Sequence, residues 1–237
     1  MGQRYIEQWT ADDVAALRVR QVGTRYGLYV GKDQLTTPAG NPVVHPLRSV
    51  VYALLQEAWM TEGLDVTSGG YYSLYCTEHD LIAASWGGFV DGLPHLLTHH
   101  EVITRPMAGP EYIEQVWAWR SVSAWLAEHG CTQPLGYDLC TPAVSAVVRA
   151  ALLALDPAQQ TAVMSLCTRH HASVLLPLMV VLGECTPDEY ADGCLIGAPI
   201  HPIFGMGEHE EYREAAPVLA AEAMRACAYV TLTQRGG

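Results

Sequence analysis

The stretch Thr37-Pro38-Ala39-Gly40-Asn41-Pro42-Val43-Val44 opens the part of the sequence that decides the fold, which continues through Pro46 to Asp80. Its Pro-Ala-Gly run predicts a tight turn between two short strands. After Pro46, apolar residues at helical spacing predict a helix that carries Glu57 and Trp59, and a second helix leads to Asp80. The stretch contains no nucleophile elbow, phosphate loop or metal-ligand spacing, so it points to binding rather than catalysis.

Short apolar segments also occupy residues 17–44, upstream of the first helix. They are separated by Gly23, Gly27, Gly31-Lys32-Asp33 and the Pro-Ala-Gly run. Apolar residues that alternate with turn residues at such intervals are typical of a small antiparallel meander. We therefore expect a β-rich N-terminal region.

Helix starts are clear in the second half of the chain. Thr141-Pro142, Asp156-Pro157 and Thr186-Pro187 each place a capping oxygen directly before a proline, which suits the first helical position. Glu189 completes a capping box with Thr186. Six apolar residues between the first two caps follow the spacing of one buried stripe: Val144, Val147, Val148, Ala151, Leu152 and Leu155.

Three further segments of the second half carry structural expectations. Residues 173–182 are apolar on every side and predict an enclosed central helix, kinked at Pro177. The Gly- and Pro-rich residues 86–94 and 193–207 are expected to form irregular loops. Together with the N-terminal meander, these patterns predict an α+β fold: a small β-rich domain with one helix (residues 1–75) followed by a larger α-helical domain (residues 76–237).

A tryptophan-rich segment is predicted to form one helix that carries Gln115, Trp117, Trp119 and Trp125. Trp119 and Trp125 would lie about 240° apart around the helix axis, so they cannot point to the same place. One is expected in the core and the other at a groove or domain junction; packing of both is the alternative.

The composition favours a protein partner. The chain has 237 residues, of which 50% are hydrophobic, which is ample for a buried core. Its formal net charge is −12 with only 13 Lys and Arg residues, so nucleic acid is not expected as the main partner. An acidic surface of this kind favours a basic protein.

Cysteine spacing and hydropathy indicate the kind of cellular compartment in which the protein is expected. The seven cysteines show no paired spacing, which indicates neither a disulfide framework nor a zinc site and fits a reducing compartment. No apolar run approaches the roughly 20 residues of a membrane helix. Glu7, Asp12 and Asp13 are unlike an organellar presequence, so we expect none in this chain.

Catalytic and metal-binding patterns are weak. His99-His100 and His170-His171 are adjacent pairs, which point about 100° apart on a helix and cannot chelate one ion together. Residues 201–211 lack the lysine and the spacing of a phosphate loop. We therefore expect no cofactor, no metal and no enzymatic activity; Cys and His residues that meet in space remain the alternative.

The ordered series of motifs resembles a known family. It begins at Leu35 and the turn of residues 37–42, and passes through Pro46, Glu57 and Trp59. It continues through Leu74, Thr77, Asp80, Arg105, Gln115, Trp119, Trp125, Thr141, Leu155-Asp156, Ser173, Gly183 and Gly207-Glu208. In this order the residues resemble the ATP-twelve family (ATP synthase assembly factor 2), chaperones that attend the α subunit of the mitochondrial ATP synthase catalytic head.

The resemblance implies a two-domain, non-enzymatic protein of the mitochondrial matrix. Such a protein binds the unassembled α subunit and covers an apolar interface that would aggregate before the β subunit arrives. The candidates for partner binding are Glu57, Trp59, Asp80, Arg105, Gln115, Trp119, Phe204 and Glu208.

An alternative follows from positions where the chain differs from the family. Ala58 separates Glu57 from Trp59, which are adjacent in the family pattern, and residues 195–202 are apolar where the family is polar. Loss of polar positions on a retained apolar framework is expected if the partner has changed. The alternative is a related chain recruited as a permanent accessory subunit of a large mitochondrial complex: ATP synthase, a respiratory complex or the ribosome.

Overall fold

The protein has an α+β fold, as the sequence predicts, with a small mixed sheet near the N-terminus and helices after it. The computed structural model describes residues 2–99, 110–132, 141–170, 173–196 and 209–234. The chain divides into two compact units: residues 1–84 with 228–237, and residues 85–227. The division into domains 1–75 and 76–237 stays a prediction about independently folding parts.

The described strands come first along the chain, with one short helix among them, and the other helices follow. The strands are β1 (Gln3–Arg4), β2 (Leu17–Val22), β3 (Arg25–Val30), β4 (Asp33–Leu35) and β5 (Val44–His45). The helices are α1 (Ala11–Ala15), α2 (Arg48–Met60), α3 (Tyr71–Cys76), α4 (Ala83–Asp91), α5 (Leu93–His99), α6 (Pro110–Ala118), α7 (Arg120–Glu128), α8 (Pro142–Ala154), α9 (Pro157–His170), α10 (Leu175–Leu182), α11 (Pro187–Leu195) and α12 (His209–Gln234). A π-helical segment, Thr77–Ile82, joins α3 to α4.

Two-residue turns join β2 to β3 and β3 to β4, and each begins with a glycine. Gly23 and Gly31 have φ angles of 61° and 60°, in the region that glycine enters without steric cost. Both strand pairs are antiparallel, and β5 also pairs with β3 in the antiparallel sense. β1 lies parallel to β4, so the predicted antiparallel meander becomes a mixed sheet through its first strand.

Gly27 lies inside β3, so the prediction that it separates two strands is wrong. A Cβ atom at this position would meet the ring of Tyr29 at 3.1 Å and the side chain of Val44 at 3.3 Å. Close packing between neighbouring side chains, rather than a turn, accounts for this glycine.

Helix α2 covers the sheet and supplies much of the core of the first unit. Its buried residues are those that the sequence pattern predicts: Val50, Val51, Leu54, Leu55 and Ala58. They pack toward β2, β3 and β5, where Leu17 and Leu28 are fully buried. The helix begins at Arg48, two residues after Pro46, with Leu47 as its N-cap.

The end of α12 returns to the first unit and contacts the π-helical segment. The hydroxyl group of Tyr229 donates a 2.6 Å hydrogen bond to Oε2 of Glu78. Burial raises the pKa of Tyr229 far above its ordinary value, so this hydroxyl stays a donor. Residues 228–237 thereby belong with the N-terminal part of the chain.

Helix α10 forms the apolar centre of the second unit, as its sequence predicts. Its residues from Leu175 to Val180 are buried, and it packs against α7, α9 and α11. The predicted kink at Pro177 is wrong, because the helix begins at Leu175 and Pro177 falls in its first turn. An N–H at that position has no intrahelical partner in any case, so proline breaks no hydrogen bond there.

The predicted caps of α8, α9 and α11 are confirmed. Thr141 Oγ1 accepts from the Val144 amide at 3.2 Å. Thr186 and Glu189 form the capping box, with N···O distances of 3.2 and 2.8 Å between side chain and backbone. Asp156 makes a similar reciprocal pair with Gln159 at the start of α9. These contacts satisfy helix N–H groups that otherwise lack partners.

The expected loop of residues 86–94 is helical instead. Most of it lies in α4 and the start of α5, despite Gly87 and Gly88. Trp86 and Val90 are both buried at i, i+4 spacing, and this packing outweighs the cost of two glycines in a helix. Of the other expected loop, residues 193–195 lie in α11 and residues 197–207 lie outside the described residues.

A pH-dependent contribution to stability is expected from His45. Burial, with the nearby His79 ring and Arg25, lowers the pKa of His45 to about 4, and its Nδ1 accepts a 3.1 Å hydrogen bond from the Leu47 amide. The unfolded chain takes up this proton near pH 6.5, whereas the folded chain resists it, so stability is fully present above 6.5 and falls as the pH drops toward 4.

We expect the wild type to lose about 2 kcal/mol between pH 6.5 and 4.5 relative to a His45→Asn variant, which keeps an acceptor near Nδ1 but does not titrate. Urea unfolding of both proteins at several pH values measures this difference. Parallel pH profiles of the two proteins would contradict the expectation.

Among the described helices, none combines the length and the apolar character that a membrane crossing requires.

Candidate partner-binding surface

The outward side of α2 carries an exposed apolar patch. Trp59 is 56% exposed, Met60 77% and Tyr52 41%. Tyr52 and Trp59 are seven residues apart and therefore lie within about 20° of one another around the helix. Arg48 lies one turn before Tyr52, and its Cζ atom stacks 4.6 Å from the centroid of the Tyr52 ring. The Arg48 guanidinium also donates a 2.7 Å hydrogen bond to the Tyr52 hydroxyl oxygen. We call these four residues the α2 patch.

Large apolar side chains clustered in this way on a helix surface are a mark of protein-binding faces. Sequence analysis identified Trp59 but missed Tyr52 and Met60. The spacing of seven residues between Tyr52 and Trp59, outside the buried stripe, could have identified Tyr52, whereas Met60 has no such signal.

Glu57 has a structural position beside this patch. Its Oε2 accepts a 3.0 Å hydrogen bond from the Tyr72 amide in the first turn of α3. Gly70, the N-cap residue of α3, has no side chain to do this, so Glu57 caps the helix from a distance and places a negative charge at its positive end. A Cβ atom at Gly70 would collide with the Glu57 carboxylate in this capping position.

Asp80 lies in the π-helical segment and links it to the Thr37–Asn41 turn through hydrogen bonds. Its Oδ1 accepts hydrogen bonds from Thr37 Oγ1 at 2.7 Å and from Asn41 Nδ2 at 2.8 Å, and its Oδ2 accepts from the Ala39 amide at 3.4 Å. The turn itself closes through the Thr37 amide and the Asn41 carbonyl at 2.8 Å. Asp80 thus organises a loop, and its carboxylate is already occupied by three donors.

An Asp80→Ala substitution is expected to destabilise the protein by about 2–3 kcal/mol. It removes a charged acceptor and leaves the hydroxyl group of Thr37, a fully buried residue, without its partner. Urea unfolding followed by circular dichroism measures the change. Asp91→Ala is the matched control, because Asp91 is a surface carboxylate paired with Arg149 and its loss should cost less than about 1 kcal/mol. Equal stabilities of the two variants would refute this role of Asp80.

Gln115 and Trp119 lie in the interior of the second unit. Their exposed fractions are 2% and 0%, and Trp125 is also buried. The prediction of one continuous tryptophan helix is wrong, because the helix is interrupted at Trp119. This residue lies between α6 and α7 and has φ and ψ angles of −104° and 13°. Burial of both Trp119 and Trp125 agrees with the packing alternative. Trp117, by contrast, is 64% exposed.

Three of the partner-binding candidates, Arg105, Phe204 and Glu208, lie outside the described residues. For all eight candidates, partner binding stays a prediction. The geometry gives structural positions to Glu57, Asp80, Gln115 and Trp119, and it leaves the side chain of Trp59 open to solvent.

Two buried thiols are poorly suited to act as nucleophiles. Burial raises the pKa of the Cys76 and Cys185 thiols to about 12, which disfavours the thiolate needed for nucleophilic attack. Within the described ranges, no group of three His, Cys, Asp or Glu side chains is placed to hold a metal ion.

Comparison of sequences finds no relative, whereas comparison of structures does. No family model and no curated protein sequence matches the chain. The structure is similar to that of Atp12 from Paracoccus denitrificans, with a TM-score of 0.72, 18% identity, and coverage of 92% of this chain and 96% of Atp12. A point mutant of the same protein matches with a TM-score of 0.71 over 98% of each chain.

A candidate chaperone from Agrobacterium tumefaciens is also similar, with a TM-score of 0.68, 18% identity, and coverage of 92% of this chain and 83% of that one. These likenesses extend over nearly the whole chain and show that it has the Atp12 fold. The resemblance inferred from the ordered motifs is thereby confirmed at the level of the fold.

Proposed function

We propose that this protein is a non-enzymatic assembly chaperone for ATP synthase that binds the α subunit of the catalytic head. The observation that carries the proposal is the Atp12 fold, which is shared over 98% of both chains in one comparison. The two chains share this fold at 18% identity, so the support that it gives is an analogy of fold.

The α2 patch supports a binding role on physical grounds. An unassembled subunit exposes the apolar surface that its neighbours later cover, and such surfaces aggregate. A protein that offers exposed aromatic and thioether side chains can cover this surface reversibly, since methionine and tryptophan adapt to varied apolar partners. The proposed contacts in the first unit are Trp59, Met60 and Tyr52.

The proposed place of action is the compartment that holds the catalytic head, which in a eukaryotic cell is the mitochondrial matrix. The free cysteines of the described residues fit a reducing compartment of this kind. The acidic balance of the chain, −12 at pH 7, keeps the free protein dispersed between encounters with its client.

Native affinity purification followed by size fractionation tests the proposal. A transient chaperone should elute as a small species with substoichiometric α subunit, and a pool without client should be present. Complete co-migration with a large complex would contradict it and would instead identify a permanent accessory subunit. Absence of the α subunit from every fraction would also overturn it.

A further inference from the structure

Helix α6 turns three large apolar side chains to solvent. Its outward side carries Ile113, 68% exposed, Val116, 37% exposed, and Trp117, 64% exposed. These residues stand at i, i+3 and i+4 and therefore form one stripe. The inward side carries the buried Gln115 and Ala118. Surface helices of soluble proteins normally bury the apolar side, so an apolar stripe turned to solvent indicates a contact site.

We call these three residues the α6 stripe. The side chain of Trp117 in this stripe is held in place by its neighbours in the absence of a partner. The guanidinium group of Arg120 stacks on the Trp117 ring with 4.5 Å from Cζ to the ring centroid, and Nη1 donates a 2.9 Å hydrogen bond to the Trp117 carbonyl oxygen. Arg120 also forms an ion pair with Oε1 of Glu189. Oε2 of the same carboxylate caps α11 through the Thr186 amide at 2.8 Å.

A helix cap, an ion pair and a stacked guanidinium thus immobilise one exposed tryptophan. A side chain fixed in this way loses less conformational entropy when a partner binds, which favours it as an anchor residue. A tryptophan left on the surface by chance would need no such support.

The acidic charge of the second unit favours a basic partner. In residues 85–227, Asp and Glu outnumber Lys and Arg by 16 to 6. On the stripe's own helix Glu114 is exposed, and the neighbouring cation, Arg120, is already paired with Glu189. This surrounding potential repels a second copy of the chain and an anionic lipid surface, and it attracts positive charge.

We infer that the α6 stripe is a docking site for a protein segment whose apolar face is flanked by lysine or arginine, with Trp117 as its anchor. The α6 stripe lies in the second unit, whereas the α2 patch lies in the first. The inference rests on the proposed function in one respect only: it takes the client subunit as the source of the basic segment.

Fluorescence anisotropy with two labelled helical peptides tests the partner chemistry on the full-length protein. One peptide carries leucine on one face and lysine on the other, and its counterpart carries glutamate in place of lysine. We expect the lysine peptide to bind with an affinity that falls as salt rises, and the glutamate peptide not to bind. Trp117→Ala should weaken the lysine peptide about tenfold. Leu153→Ala, an equally exposed apolar residue of the same unit, should leave its affinity unchanged.

Two further variants test whether Trp117 must be held by its neighbours. Arg120→Lys keeps the charge but loses the planar stack, and Glu189→Gln keeps the helix cap but loses the ion pair. Each should weaken the lysine peptide about two- to fivefold, while circular dichroism and thermal unfolding remain as in the wild type. Unchanged affinity in both would contradict the positioning role.

The docking inference and the proposed function fail separately. If the α subunit binds the wild type and Trp117→Ala equally well, the docking inference is overturned and the function stands. If the α subunit never binds but the lysine peptide shows the expected pattern, the function fails and the docking site stands. Equal binding of both peptides, or a dimer that Trp117→Ala dissolves, would overturn the docking inference directly.

Discussion

Replacing Trp119 with alanine is expected to lower the free energy of unfolding by about 4 kcal/mol. Trp119 is fully buried at the break between α6 and α7, and its removal would leave a cavity of indole size between packed helices. Large-to-small substitutions of aromatic residues in cores typically cost about 3–5 kcal/mol, because the surroundings relax only in part. Urea unfolding followed by far-UV circular dichroism measures the change.

Two matched variants isolate the cause. The Nε1 atom of Trp119 has no hydrogen-bond partner among the described residues, so Trp119→Phe loses no hydrogen bond and only part of the ring volume and should cost about 1–2 kcal/mol. Trp117→Ala, two residues away but mostly exposed, should change stability by no more than about 1 kcal/mol. If Trp119→Ala were as stable as Trp117→Ala, the placement of Trp119 in the interior would be wrong.

Removing the exposed apolar groups of α2 is expected to weaken binding of the α subunit at least about tenfold, with almost no effect on folding. The double variant Trp59→Ala, Met60→Ser removes the two most exposed apolar members of the α2 patch and touches none of the buried stripe. Exposed aromatic anchors supply a large share of binding energy, whereas surface substitutions usually alter stability by less than about 0.5 kcal/mol.

Surface-immobilised α subunit and the full-length variants allow the dissociation rate to be measured directly. Val218→Ser is the matched control, since Val218 is as exposed as Trp59 but lies on α12. Affinity lost equally in Val218→Ser would show a non-specific hydrophobic effect. Unchanged affinity in the double variant would remove the α2 patch from the proposed interface.

Local rules predicted the helices whose starts and stripes are encoded in adjacent residues. The caps at Thr141, Asp156 and Thr186 satisfy helix N–H groups through side chains three residues away, so no tertiary information is needed. The buried stripe of α2 is likewise set by 3.6-residue periodicity alone. The glycine-led turns at Gly23 and Gly31 belong to the same class.

Features that depend on distant packing were not predicted. The glycine pair in α4 suggested a loop, yet burial of Trp86 and Val90 holds the segment helical. Pro177 suggested a kink because the predicted helix started at residue 173, before the observed start at Leu175. Helix α12 continues through Pro217, and no sequence pattern predicted that continuation. The helix is interrupted at Trp119, and no spacing rule predicted that interruption.

The candidate site shows the same division. The resemblance identified Glu57 and Asp80, but their roles depend on contacts across 15 and 43 residues of sequence, with Tyr72 and with Thr37. Both carboxylates hold backbone elements in place. The exposed residues Tyr52 and Met60 of the α2 patch were missed because they belong to no motif of the resemblance.

Light scattering by the isolated α subunit tests the central claim most directly. The purified α subunit is diluted from denaturant alone, with this protein, or with the Trp59→Ala, Met60→Ser variant, and the β subunit is added afterwards. The account predicts that the wild type suppresses scattering at near-equimolar ratio, that the variant does so poorly, and that the β subunit displaces the wild type. Scattering that is unchanged by the wild-type protein would contradict the account.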